Sequence, residues 1–367
     1  MTLDTFLKLK PYSLSKDEKS TILTEMLTDL TIHHYENCAE YRNILRGLGF
    51  DPYAATEHYD KLPMLPVRLF KEMSLKSVAD DSLAKSMTSS GSSGQKVSKL
   101  YLDRQTALAQ QNVGIKITTG FLGIKRMPMV IVDSPAVLQR RDAYTARRAA
   151  SLFFSLFGSD RICALNDDMS LNVDVLVEFL NKHKGEQILL FGFTFMVWQH
   201  LYQASKEIGA RLDFHDGILI HGGGWKKMEN IRVSPEKFRS KLAETLNITH
   251  VHDEYGMAEQ SGTIYFECEY GYHHASIFSD VLTRRGKDLS LCDFGEPGLI
   301  ELVSVLPHSY PGHVILSEDE GVICGEDDCP CGRLGKYFHI NGRIKNAEIR
   351  GCSDTYAVNF GAKKELP

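Results

Sequence analysis

Three short apolar runs and one further strand-like stretch, separated by segments of helical spacing, constrain this chain most. The runs are Met127–Asp133, Gln187–Gly192 and Asp216–Gly224, and the further stretch is Ile248–His252. Apolar runs of roughly four to eight residues bounded by turn-formers read as buried strands. Residues 143–157, 171–184, 195–208 and 235–246 lie between them and read as helices. Strands that alternate with helices pair in parallel, because each crossover returns the chain to the same end of the sheet. The expected class is α/β, with helices around parallel-rich sheets.

The flanks read differently. Residues 14–48 are expected to be helical, capped by Ser15 or Asp17, with Ile22, Met26, Leu30, Ile32 and Tyr35 at helical spacing. Pro52, Pro63 and Pro66 then break the pattern. Residues 104–118 read as a further helix. From Ser261 onward short strands alternate with turns such as Gly295-Glu296-Pro297-Gly298 and Tyr310-Pro311-Gly312. The expected organisation is one large domain over 1–345, with a helical start (1–75), an α/β part (76–260) and a β-rich subdomain (261–345). A short tail, 346–367, follows.

The formal net charge of -5 is mild, so neither nucleic acid nor an anionic membrane surface is indicated as a partner. No apolar run is long enough to span a bilayer, and Met1-Thr2-Leu3-Asp4-Thr5-Phe6 does not read as a signal peptide. A cytoplasmic location is the expectation. Eight cysteines then read as reduced thiols, metal ligands or catalytic groups.

Thr88 to Lys99 is rich in glycine and hydroxyl side chains, at Ser90, Gly91, Ser92, Ser93 and Gly94, and ends in Lys96 and Lys99. Backbone N–H groups freed by glycine, with hydroxyls and a cation, hold phosphate oxygens; the same composition also makes a flexible linker. The spacing matches neither the Walker loop nor the dinucleotide-binding fingerprint. Three further stretches bear on the choice. Tyr255-Gly256-Met257-Ala258-Glu259 follows a strand, and places an aromatic ring and a carboxylate at its exit. Asp319 lies in Leu316-Ser317-Glu318-Asp319-Glu320-Gly321, which by itself reads as a hairpin turn. Gly342-Arg343 closes the set.

In this order and spacing the stretches resemble the adenylate-forming enzymes. Ser90–Gly94 looks like their phosphate loop, Tyr255–Glu259 like their Tyr-Gly-x-Thr-Glu motif, Asp319 like their ribose-binding aspartate and Arg343 like the arginine before their hinge. Leu65–Lys71, His221-Gly222-Gly223-Gly224-Trp225-Lys226-Lys227 and Arg350-Gly351-Cys352-Ser353-Asp354 narrow the resemblance to the acyl-protein synthetase (LuxE) family, related to phenylacetate–CoA ligase. It covers essentially the whole chain. Two departures stand out. Ala258 replaces the usual threonine, and the residues after Arg343 are too few for the superfamily's C-terminal lid with its lysine, so that Lys96 or Lys99 is the candidate replacement.

The resemblance implies ATP-dependent activation of a long-chain fatty acid as acyl-AMP. The acyl group would then pass to an enzyme cysteine, Cys352, and on to a partner acyl reductase in a fatty acid reductase complex. Ser90, Ser92, Ser93 and the loop amides would cradle phosphate. Glu259 would hold Mg²⁺, Tyr255 would flank adenine with Gly222, Gly223 and Gly224, and Asp319 and Arg343 would take the ribose. An acyl- or aryl-CoA ligase and a catalytically idle nucleotide-binding subunit are the alternatives. Phe191, Phe193, Phe195 and Trp198 are acyl-pocket candidates whose ordinary reading is core packing. Cys329-Pro330-Cys331-Gly332 with Cys268 and His273 makes a candidate Cys₃His zinc site, with Cys324 and His274 as substitutes and plain reduced side chains as the alternative.

Overall fold

A computed structural model of the chain describes residues 3–88, 98–139, 146–225, 228 and 231–344. The early strands are β1 (Leu65–Pro66), β2 (Leu83–Thr88) and β3 (Lys99–Asp103). Then come β4 (Met127–Ile131), β5 (Gly158–Cys163), β6 (Leu189–Phe193), β7 (Gly217–Gly222) and β8 (Ile248–Tyr255). The last are β9 (Tyr265–Phe266), β10 (His273–His274), β11 (Ser279–Arg284), β12 (Gly298–Ser304), β13 (Val314–Glu326) and β14 (Lys336–Arg343). The chain forms two compact units. One takes its described residues from 3–88, 98–123 and 255–344, the other from 124–254.

The second unit carries a parallel sheet in the order β5-β4-β6-β7-β8. β4 and β6 are buried at every position, as expected of central strands covered on both faces. Helices Val173–Lys182 and Pro235–Leu246 start on side-chain caps. Asn172 accepts from Val175 N, and Ser234, followed by Pro235 in the first turn, accepts from Lys237 N. β5 is an edge strand absent from the sequence reading: Ser159, Asp160 and Arg161 give it no apolar run to recognise. Phe193, Phe195 and Trp198 lie in the core of this unit, and Phe191 stacks on Phe154 with centroids 4.3 Å apart.

The first unit holds an antiparallel sheet in the order β10-β14-β13-β12-β11, with β1 parallel to β13. The helix expected over 14–48 is broken. Lys16–Asn37 and Ala39–Gly47 are separate helices, because Cys38 is extended (φ -124°, ψ 109°) and redirects the chain so that Tyr41 and Leu45 enter the core. Ser15 opens the first helix, its N–H donating to Glu18 Oε2 at 3.0 Å.

Two buried polar clusters tie this helix to the sheet. Asp280, 1 % exposed on β11, accepts from Lys19 Nζ at 3.1 Å, from Lys336 Nζ at 2.8 Å and from the Tyr59 hydroxyl. Burial alone would raise its carboxyl, but Lys19 and Lys336 outweigh burial and hold it well below the usual carboxylate range. Around the helix, His34 Nδ1 meets Ser77 Oγ at 2.7 Å and Nε2 meets Pro307 O at 3.0 Å, while His313 Nε2 lies 2.9 Å from Thr31 Oγ1.

Burial pushes the His313 imidazole down to about 3 and His34 well below its ordinary range. An unfolded chain takes up these protons near pH ~6.5. Stability from the neutral rings is therefore complete above that pH and declines as pH falls toward the folded-state values. We expect a loss of up to about 1.4 kcal/mol per pH unit for each ring below pH ~6. Urea denaturation of His313→Gln should show a shallower pH slope than the wild-type chain; equal slopes would contradict the assignment.

Candidate functional site

In the second unit the carboxyl edge of the parallel sheet is where such folds receive ligands. β7 ends at Gly222, and Gly223 and Gly224 follow with φ of 75° and 65°, a left-handed turn that favours glycine. A Cβ at Gly222 would lie 2.6 Å from the Glu254 backbone oxygen on β8, so only glycine lets the two strands meet there. Thr194, just beyond β6, donates its hydroxyl to Gly222 O at 3.1 Å and lies 3.0 Å from His221 Nδ1. Asp253 Oδ1 on β8 stands 3.4 Å from the same ring nitrogen. Thr194 was not among the sequence candidates; its only signal was a polar residue at a strand exit.

In the first unit Tyr255 donates its hydroxyl to Asp319 Oδ2 at 2.8 Å, across 64 positions of sequence. Arg343 Nε lies 3.7 Å from Asp319 Oδ1, and the two residues are register partners on β13 and β14. Burial first, and the Asp319 carboxylate second, keep the Tyr255 hydroxyl protonated well above its ordinary range. Gly256 is exposed and Met257 packs on the β-rich core. Glu259 is 6 % exposed on the 3₁₀ turn Ala258–Gln260. Gln260 Nε2 fastens that turn by donating to Leu302 O at 3.0 Å and Gly312 O at 2.9 Å.

The same unit gathers four soft ligands. The donor atoms of Cys268, His274, Cys329 and Cys331 all lie within 4.8 Å of one another, and Cys331 Sγ is 3.3 Å from His274 Nε2. A tetrahedral ion with bonds of about 2.3 Å to sulfur needs donors roughly 3.8 Å apart, so the set fits a closed Cys₃His centre. The histidine is His274 and not the expected His273. Neighbours on a strand face opposite ways, and on β10 His273 turns to Phe338 and Tyr255 instead. Burial, with Arg333 nearby, lowers the His274 imidazole to about 3.

Lys99, exposed, opens β3 opposite Thr88 in an antiparallel hairpin whose connection is the Ser/Gly stretch. The expected site residues Ser90, Gly91, Ser92, Ser93, Gly94 and Cys352, and also Lys96, lie outside the described residues.

The family model for acyl-protein synthetase, LuxE, matches residues 2–361. The chain belongs to the LuxE family. Among LuxE relatives, the long-chain-fatty-acid–luciferin-component ligase of Vibrio harveyi is 23 % identical over 97 % of this chain and 92 % of its own length. The enzyme of the same name from Aliivibrio fischeri is 24 % identical over 95 % and 92 %. Family membership makes the chain a ligase. The fold agrees: 2-hydroxyisobutyryl-CoA ligase, solved with 2-HIB-AMP and CoA, superposes with a TM-score of 0.71 at 16 % identity, over 91 % of this chain and 72 % of that one. This is the adenylate-forming fold expected from the motifs. No helix among the described residues is long and apolar enough to cross a membrane.

The turn bearing Glu259 in this LuxE chain rests on one close approach. Gly262 has φ +85°, and a Cβ there would stand 2.3 Å from Gln110 O of helix Arg104–Leu122. We expect Gly262→Ala to cost about 2 kcal/mol or more in urea denaturation. A stability equal to wild type would show that this approach is not required.

Proposed function

We propose that this protein is an acyl-protein synthetase that activates a long-chain fatty acid with ATP and passes the acyl group through its own cysteine to an acyl reductase. The observation that carries the reading is the Tyr255–Asp319–Arg343 contact. Three residues drawn from separate motifs converge, with a ring, a carboxylate and a guanidinium suited to adenine and ribose hydroxyls. Gly222–Gly224 would bring backbone close to the purine. The Ser90–Gly94 loop would hold the phosphates. Glu259 is a hard oxygen donor on a fastened turn, which fits Mg²⁺. Bound Mg²⁺ would offset charge on the departing phosphates.

In the first half-reaction a fatty acid carboxylate oxygen bonds to the α-phosphorus of ATP and pyrophosphate leaves. In the second, the Cys352 thiolate bonds to the acyl carbon and AMP leaves, giving a thioester. The described thiols support this choice. Burial first raises Cys38, Cys163, Cys292 and Cys324, away from the reactive thiolate, and Cys268, Cys329 and Cys331 belong to the ligand cluster. The arginine at position 350 would favour a thiolate at Cys352.

Two variants separate the half-reactions. Glu259→Gln should slow fatty-acid-dependent exchange of pyrophosphate into ATP by about 10²-fold or more. Cys352→Ser should keep that exchange and lose the hydroxylamine-labile acyl label on the protein. Thioester label retained by Cys352→Ser would overturn the acceptor assignment; label passed directly to coenzyme A would favour an acyl-CoA ligase.

The Cys268, His274, Cys329 and Cys331 set would hold a structural zinc ion. Elemental analysis should find about one zinc per chain, lost in Cys331→Ser together with thermal stability. A zinc-free chain whose melting is indifferent to chelator would refute it.

A further inference from the structure

We infer that Thr194 is a positioning residue for the nucleotide, acting through the Gly222–Gly224 turn. The inference rests on the proposed adenylation function and adds a residue that no motif marks. Thr194 is 5 % exposed and His221 8 %, so both polar groups must find partners within the protein. The Thr194 hydroxyl has one proton, and it goes to Gly222 O at 3.1 Å. Its oxygen is then left to accept from His221 Nδ1 at 3.0 Å. Asp253 Oδ1, 3.4 Å from that nitrogen, also calls for a proton on it. The two oxygens together select the Nδ1–H tautomer.

The result is a line of polar contacts across the carboxyl ends of three adjacent strands, β6, β7 and β8. It is hydrogen-bonded from Gly222 O through Thr194 to His221 and continued by Asp253 on β8 at 3.4 Å. It ends on the first carbonyl of the glycine turn. Gly223 and Gly224 have no side chains to hold the turn, and their left-handed backbone leaves its direction to its anchors. Gly222 is anchored by its register with Glu254 and by Thr194. The ring of Phe238, 4.9 Å from that of His221, closes the other side and keeps the imidazole from swinging away. A turn fixed in advance binds its ligand without the cost of ordering, so the line acts on affinity and not on the chemical step.

The test is steady-state pyrophosphate exchange on the full chain, varying ATP and fatty acid separately. Thr194→Val keeps the shape and removes both hydrogen bonds. It should raise KM for ATP roughly tenfold or more while leaving kcat and the fatty acid KM within about threefold. Thr194→Ser should restore the wild-type values. His221→Asn can place an amide N–H near the Nδ1 position and should behave closer to wild type than His221→Gln, whose amide reaches the Nε2 position. That contrast decides the matter even if Thr194→Val fails to fold. An unchanged KM for ATP in Thr194→Val, or equal values for His221→Asn and His221→Gln, would overturn the inference. So would a Thr194→Ser variant no better than valine. A wild-type chain that shows no exchange would instead overturn the proposed function, and this inference with it.

Discussion

The first unit depends on one buried carboxylate. Asp280 is enclosed between Lys19 of the long N-terminal helix and Lys336 at the start of β14, with the Tyr59 hydroxyl completing its contacts. A lone charge in that place would be prohibitive, and a single lysine would leave the carboxylate only half satisfied. Removing one partner from such a set costs about 3–5 kcal/mol, because the remaining charges stay buried without compensation. Arg284 and Glu301 form a second ion pair in the same sheet, with Arg284 also donating to Asp60 O at 2.6 Å. Sequence-distant segments are thereby held in a fixed register by charge, where apolar packing alone would tolerate sliding.

That register matters for the site. β14 begins at Lys336 and ends at Arg343, so the strand pinned to Asp280 at one end presents its arginine to Asp319 at the other. β13 supplies Asp319, and Ser317 Oγ accepts from its backbone N–H at 3.1 Å. The thiol cluster sits against the same two strands, with His274 on β10 paired to Tyr337 on β14. Arg333 stacks over Phe121 at 4.0 Å beside the cluster, and sulfur ligation there would brace the sheet from a third direction. In the second unit the work is done by apolar packing and by backbone. β4 and β6 are buried on both faces, and the turn at Gly222–Gly224 is placed by strand register together with the Thr194 hydroxyl.

Much of this was readable in the residues. Continuous apolar runs marked β4, β6 and β7, since buried parallel strands need no polar face; β8, with Thr249, His250 and His252 among its residues, was read as a strand without such a run. The polar edge strand β5 was not, because Gly158-Ser159-Asp160-Arg161 carries no apolar signal and its pairing is decided by the neighbour β4. The break at Cys38 escaped for a related reason: local spacing favours one helix, and only the packing of Tyr41 and Leu45 requires two. The nucleotide motifs were legible as motifs, but the hydrogen bond that joins Tyr255 to Asp319 was not, since nothing local states that residues 64 positions apart will touch. His274 in place of His273 is a matter of strand parity, settled once β10 pairs with β14.

The central claim is the proposed one, that Tyr255, Asp319 and Arg343 of the first unit belong to an acyl-adenylate site. Calorimetric titration of the wild-type chain with a long-chain acyl-sulfamoyl adenosine, which mimics the acyl-adenylate and cannot react, tests it most directly. Binding to one site per chain, roughly 10²-fold tighter than AMP or the fatty acid alone, is the predicted result. It should weaken sharply in Asp319→Ala. An analogue that binds no better than its two halves, or equally well to Asp319→Ala, would contradict the account.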